Sequence, residues 1–173
     1  GGTGNPGDLL VQYGWHVQIL SQTNAGATVK VWNSKYEMNA AFVADRPSVR
    51  TNQNVRYRFN LNQNLGGALA LFACSPIDPT QVEYVPGTAT DGAMALTSSC
   101  PAAAAALEAG QSLESLAGGG EAPILSIGWF KPLLVRQAAS FDFTVKVKAT
   151  GGTLNQTLRV FEIGGTWRKS LSL

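Results

Sequence analysis

The sequence predicts an all-β chain: an antiparallel β-sandwich, Ig-like or Greek-key, with about seven to nine strands and one short Ala-rich helix. Three observations carry that expectation. Val55, Tyr57, Phe59 and Leu61 alternate with Arg56, Arg58, Asn60 and Asn62, the period of two that a half-covered strand requires. From Ala68 to Ala73 every position is apolar, so that segment can be covered on both faces. Clusters of Asn, Gly and Pro punctuate the chain between such runs, where reversals are cheapest.

Taken in order, the chain begins with the Gly-rich segment 1–8, expected to be flexible, and residues 9–173 are read as a single sandwich domain. Val11, Tyr13, Trp15, Val17 and Ile19 then alternate with Gln12, Gly14, His16 and Gln18 as one strand of about nine residues. Asn24-Ala25-Gly26 turns the chain into an antiparallel partner at Ala27–Val31. Trp32 falls on the Lys30 face of that partner, which calls for either a bulge or an outward ring. Residues 33–54 read as a long connection with a short strand near Ala41–Val43. Val55–Asn62 and Ala68–Cys74 read as a hairpin whose return strand lies deep in a sheet.

A Pro- and Gly-rich loop follows over 75–99, with a short strand at Val82–Val85. Pro101–Leu116 is expected to be one helix. Ser99 or Cys100 would cap it, Pro101 sits where a missing N–H costs nothing, and Gly118–Gly120 would end it. A helix this short is marginal alone. It must therefore dock through Leu107, Leu113 and Leu116 or cover one end of the sheet. Leu125, Ile127 and Trp129 share a strand face before Pro132, beyond which Leu133–Val135 would run on an edge. Phe141–Lys148 and Thr153–Ile163 supply the last strands, and Trp167, Arg168 and Lys169 belong to a polar tail.

Composition bounds the function more than it names it. Only 14% of the 173 residues are charged, and 45% are hydrophobic. The surface must be covered largely by amides, hydroxyls and Gly, as on exported proteins or on subunits of assemblies. A net charge of +2 without a clustered basic stripe argues against nucleic acid. No apolar run approaches the roughly 20 residues of a membrane helix. The Gly-rich start fits a tether to a membrane anchor, as in a lipoprotein with a processed or modified N-terminus, and equally a boundary introduced by expression.

Cys74 and Cys100 flank the Pro-rich loop. Paired, they would close about 25 residues and stabilise the fold by roughly 3.5 kcal/mol in the chain-entropy picture. The pairing is favoured over two buried thiols because both lie at element ends beside turn residues, and it implies an extracytoplasmic compartment: periplasm, cell surface or secretion.

No catalytic, metal-binding or cofactor-binding set is legible. His16, the sole histidine, reads as a solvent-facing or hydrogen-bonded strand residue, and no Gly-x-Ser-x-Gly elbow accompanies it. The acids, among them Asp45, Asp78, Glu83, Asp91, Glu108, Glu114 and Glu121, are scattered over loops and the helix. Gly118–Gly120 follows a helix, the wrong context for a dinucleotide. What remains are contact residues. Arg56 and Arg58 share one strand face and Lys146 and Lys148 another; adjacent strands would make these four a basic patch, although a solvated outer face is the simpler reading. Trp15 and Trp129 are expected in the core, whereas Trp32 and Trp167 are the candidates for exposed partner or sugar contacts.

The expected function is thus a non-enzymatic, disulfide-linked binding or assembly module. It would be an envelope or cell-surface accessory or structural subunit that engages a protein partner or further copies of itself. The alternative is a carbohydrate-binding module or small glycosidase built on Trp32, Trp167 and loop carboxylates.

Overall fold

The computed structural model describes residues 9–12, 15–33, 38–64, 69–118, 122–134, 137–151, 153–165 and 168–173. Its elements in chain order are β1 (Leu9–Gln12), β2 (Trp15–Thr23), β3 (Gly26–Asn33), β4 (Met38–Ala44), β5 (Asn54–Asn64), β6 (Leu69–Pro76), β7 (Val82–Tyr84), β8 (Met94–Leu96), α1 (Cys100–Glu108), α2 (Leu113–Leu116), β9 (Ser126–Leu133), β10 (Ala139–Val147), β11 (Thr157–Glu162) and β12 (Arg168–Ser172). Every strand pairing is antiparallel. Three sheets result, in the orders β1-β2-β3, β4-β5-β10-β7 and β12-β11-β6-β9-β8.

The second and third sheets face each other and make the sandwich. Alternation in β5 and β10 points Tyr57, Phe59, Phe141 and Phe143 inward, where Phe59 and Phe141 meet Trp129 of β9. Ring centroids there lie 5.5–5.9 Å apart, and Trp129 is only 1% exposed. Its indole N–H donates to the Asp91 carbonyl at 3.0 Å, so the one polar atom of the ring is satisfied while its body fills the core. Aliphatic residues of the five-stranded sheet, Leu71, Ile127, Leu158 and Val160 among them, close the other side.

Strand β6 explains its unbroken apolar run. Leu69, Leu71 and Ala73 face the sandwich core, while Phe72 and Cys74 belong to a second cluster beneath the helices. The expected β5–β6 hairpin does not form. β5 pairs with β4 and β10, and β6 with β9 and β11, so the chain changes sheets between them. A strand that needs cover on both faces finds it in the sheet carrying the helices, not beside a partner whose outer face holds Arg56 and Arg58.

The expected single helix over 101–116 is two. Gly110, at φ +86°, ends α1. Its N–H donates to the Leu107 carbonyl and that of Gln111 to the Ala106 carbonyl, the paired bonds of a glycine C-terminal cap. α2 restarts with the Ser112 hydroxyl accepting from the Ser115 N–H. Together they cover the outer face of the five-stranded sheet through Ala103, Ala104, Leu107 and Leu113. Close approach there requires Gly128, since a Cβ on it would lie 2.5 Å from Leu96 and 3.0 Å from Phe72.

Other differences are local. The expected strand over 11–19 is two strands, because Gln12 pairs with Trp15 and β1 runs back along β2. Part of the expected tail is β12, paired with β11. β9 continues through Pro132 to Leu133, and β8 reaches only as far as Gly128, so the proline lies beyond β8. After β7 the segment through Thr90 follows the edge of β10 without being a strand. The Thr90 hydroxyl accepts from the Asp142 N–H and the Thr88 hydroxyl from the Thr144 N–H, so side-chain oxygens stand where a paired strand would offer carbonyls. The expected flexible segment 1–8 lies outside the described residues.

Candidate interaction surfaces

Register decides what the outer face of the four-stranded sheet presents. Arg58 stands opposite Asp142, Arg56 opposite Thr144, and Lys146 between Asn54 on one side and Glu83 on the other. The Arg56 guanidinium donates to one Asp142 carboxylate oxygen at 2.7 Å, and Arg58 Nε donates to the other at 2.6 Å. Burial alone would push the Asp142 carboxyl up, but the hydrogen bonds and positive charges of Arg58 and Arg56 outweigh it and hold the group below its ordinary value. The same hydrogen bond raises Arg58. Lys148 lies past the end of β10 and donates to the Pro79 carbonyl at 2.9 Å.

Of the four expected basic contacts, then, Arg56, Arg58 and Lys146 share a face and Lys148 is tied to a loop. The residue that sequence reasoning did not single out is Asp142. With Glu83 it offsets two of the three positive charges of this face, and Asp45 lies beside Arg56 at its edge, so the face is not a basic field. Its signal lay in the Phe-Asp-Phe triplet of β10, where an acid on an outer face opposes the Arg-Tyr-Arg triplet of β5. Seeing it required the pairing of β5 with β10, which is not a sequence-local property.

The second surface is the β1-β2-β3 sheet. β2 and β3 pair from Trp15↔Asn33 to Thr23↔Gly26, with a register shift between Ile19 and Ser21. Trp15 and Val31 are 53% and 54% exposed, and Leu20 and Val29 are exposed as well. Trp15 was expected in the core; its strand alternates correctly, but the face it shares with Val31 is left uncovered. His16, on the opposite face across from Trp32, is the buried residue. The backbone of Trp32 lies in β3, whereas its side chain and all of Trp167 fall outside the described residues.

Cys74 and Cys100 are joined by a disulfide with Cα atoms 5.6 Å apart, fixing the start of α1 to the outer face of β6. Both are fully covered. Among the described residues no group of three His, Cys, Asp or Glu side chains could hold a metal, and no helix is long and apolar enough to cross a membrane.

The sequence matches no protein-family model and no curated protein. Solved structures that match this chain include two bacterial proteins. One is the collagen-binding domain of a Staphylococcus aureus adhesin, at 13% identity and a TM-score of 0.44, covering 78% of this chain and 94% of that one. The other is a protein from Corynebacterium diphtheriae described as membrane anchored, at 9% identity and a TM-score of 0.51 over 92% of this chain. This chain spans 41% of the latter's length. At such identities the likeness is one of fold alone, and it is the C. diphtheriae protein that agrees with the all-β architecture described above.

Proposed function

We propose that the protein is a non-enzymatic binding or assembly module that works outside the cytoplasm, as an accessory or structural subunit of a cell envelope or surface, and engages a protein partner through its β2–β3 ribbon. The observation that carries this reading is the exposed apolar side of that ribbon. Trp15, Val29 and Val31 present an aromatic and two branched aliphatics to solvent on one ribbon face, whereas Trp129 and the inward-facing aliphatics of the sandwich are sealed and exposed apolar residues there, such as Val43 and Leu134, stand apart from one another. A large exposed ring flanked by aliphatics is the composition of an interface anchor. β3 also forms an edge of its sheet, so a partner strand could add there.

The disulfide and the charge-poor surface support an exported setting, because a covered Cys–Cys bond is the ordinary product of an oxidising compartment. A membrane-anchored setting, as described for the C. diphtheriae protein, is compatible with this reading and forms part of the proposal.

Site-specific photocrosslinking in the native host tests it. A crosslinker at Val31 should capture one discrete protein, or a second copy, whereas one at Arg159 on the exposed side of β11 should not. Equal yields from both positions, or none from either, would contradict the assignment of the ribbon.

A further inference from the structure

A cleft lies away from the ribbon, at the end of the sandwich that carries the β4–β5 loop and the segment after β10. It encloses about 680 Å³ and is walled by the β4–β5 loop, the segment after β10 and Leu173. That volume lies within the range of small-molecule sites.

Its chemistry is lopsided. The floor is aliphatic, with Val49, Val55, Val147 and Leu154 among its residues, and the only charged side chains along it are Arg46 and Arg50. Arg46 contacts Asp45 at 3.4 Å, a loose exposed pair, and the Arg50 guanidinium has no partner among the described residues. Tyr57 is 3% exposed, yet its hydroxyl makes no hydrogen bond among those residues either, and it lines the cleft. The hydroxyl oxygen is not among the buried polar atoms that lack a partner, so the ring is covered while its polar tip opens onto the cleft.

The walls are built before any ligand arrives. The Asn52 N–H donates to the Val147 carbonyl at 2.7 Å, the Val147 N–H to the Gln53 carbonyl at 2.9 Å, and the Thr51 hydroxyl to the Ala149 carbonyl at 2.7 Å. These bonds fasten the arginine-bearing loop to the end of β10. A preformed wall spares a ligand the cost of ordering it.

We infer that this cleft binds an aliphatic carboxylate of the fatty-acid type, its chain against the valines and Leu154 and its head group at Arg50, Arg46 and the Tyr57 hydroxyl. A cation finds no acid among the lining residues, and a sugar would meet one aromatic ring on an otherwise aliphatic floor. A carboxylate matches the guanidinium fork and accepts from the phenol. This site is separate from the ribbon, and neither proposal depends on the other.

Titration of the ¹⁵N-labelled protein with decanoate, below its micelle concentration, tests the inference by amide chemical shifts. The expected result is saturable shifts confined to residues 46–51, Tyr57 and 149–154. Decanol should bind about tenfold more weakly, since it keeps the chain and loses the charge. Arg50→Gln should weaken decanoate about fivefold and leave decanol unchanged, and Tyr57→Phe should weaken decanoate about threefold. Ser48→Trp, at the exposed rim, should block both ligands. No shift at millimolar decanoate would overturn the inference. So would equal affinity for decanol, or shifts that gather on β2 and β3 and report general adsorption to the exposed ribbon.

Discussion

Two strands of this protein alternate with equal clarity and end in opposite environments. In β10, Phe141, Phe143, Val145 and Val147 are sealed between sheets. In β2, Trp15 is mostly exposed and Val17 and Ile19 are only half covered. Period-two patterning follows from backbone geometry and a demand for one apolar face, so it identifies a strand in both cases. What covers that face is decided by other elements. β10 has the five-stranded sheet opposite it, whereas β2 pairs with β1 on one side and with β3 on the other. An apolar face made as regularly as a core face, yet left uncovered among the described residues, is the contrast on which the proposed binding role rests.

That contrast can be broken by substitution. Phe141→Ala should cost about 3–5 kcal/mol in urea unfolding, because it leaves a hole where Phe59, Trp129 and Phe143 converge. Trp15→Ala should cost less than about 1 kcal/mol in the same assay. A comparable loss at both positions would mean that the ribbon's apolar side is part of the folding core. The disulfide comes next in size. Cys74→Ser with Cys100→Ser should destabilise by about 3.5 kcal/mol for the 26-residue separation, with the first loss of amide protection in α1 and α2. Protection lost first in β2 and β3 would argue against the helices being pinned by this bond.

Gly128→Ala should cost about 1–3 kcal/mol, as its methyl would collide with Leu96 and Phe72 under the helices, and calorimetry checks it. The smallest effect is expected at the outer face of the four-stranded sheet. Asp142→Asn should lower Tm by roughly 2–4 °C, since the arginines it pairs are half in solvent. The Asp142 carboxyl is held below its ordinary value in the folded state. Its contribution is therefore present above the unfolded pKa near 4 and is lost as pH falls through the lower folded value. Stability of the wild type and of Asp142→Asn should converge once the pH has fallen through that lowered folded value. A gap that stays constant with pH would remove the ion pairs from the explanation.

The same contrast explains which parts of the molecule were legible in the sequence. Alternation located β3, β5 and β10, and the apolar run marked β6 as covered on both faces. Cys74 and Cys100 were legible as a pair from their places at element ends. Gly110 was overlooked beside the Gly118–Gly120 run, although a lone glycine at φ +86° is enough to end α1. Sheet membership was out of reach, because β5 and β6 are sequence neighbours whose partners, β10 and β11, lie far along the chain. The Arg56–Asp142–Arg58 cluster and the cleft at Tyr57 were hidden for the same reason: each joins strands that only tertiary pairing brings together. The exposure of Trp15 was misjudged because a period of two does not say whether a second layer exists.

The most direct test of the central claim, that the ribbon is an uncovered binding surface beside a sealed sandwich, is hydroxyl-radical footprinting of the tryptophans by mass spectrometry. It should be run on the isolated protein and on intact native cells. The account predicts rapid oxidation of Trp15 in the isolated protein, its protection on cells, and resistance of Trp129 in both. Trp15 as resistant as Trp129 in the isolated protein, or equally reactive in both settings, would contradict it.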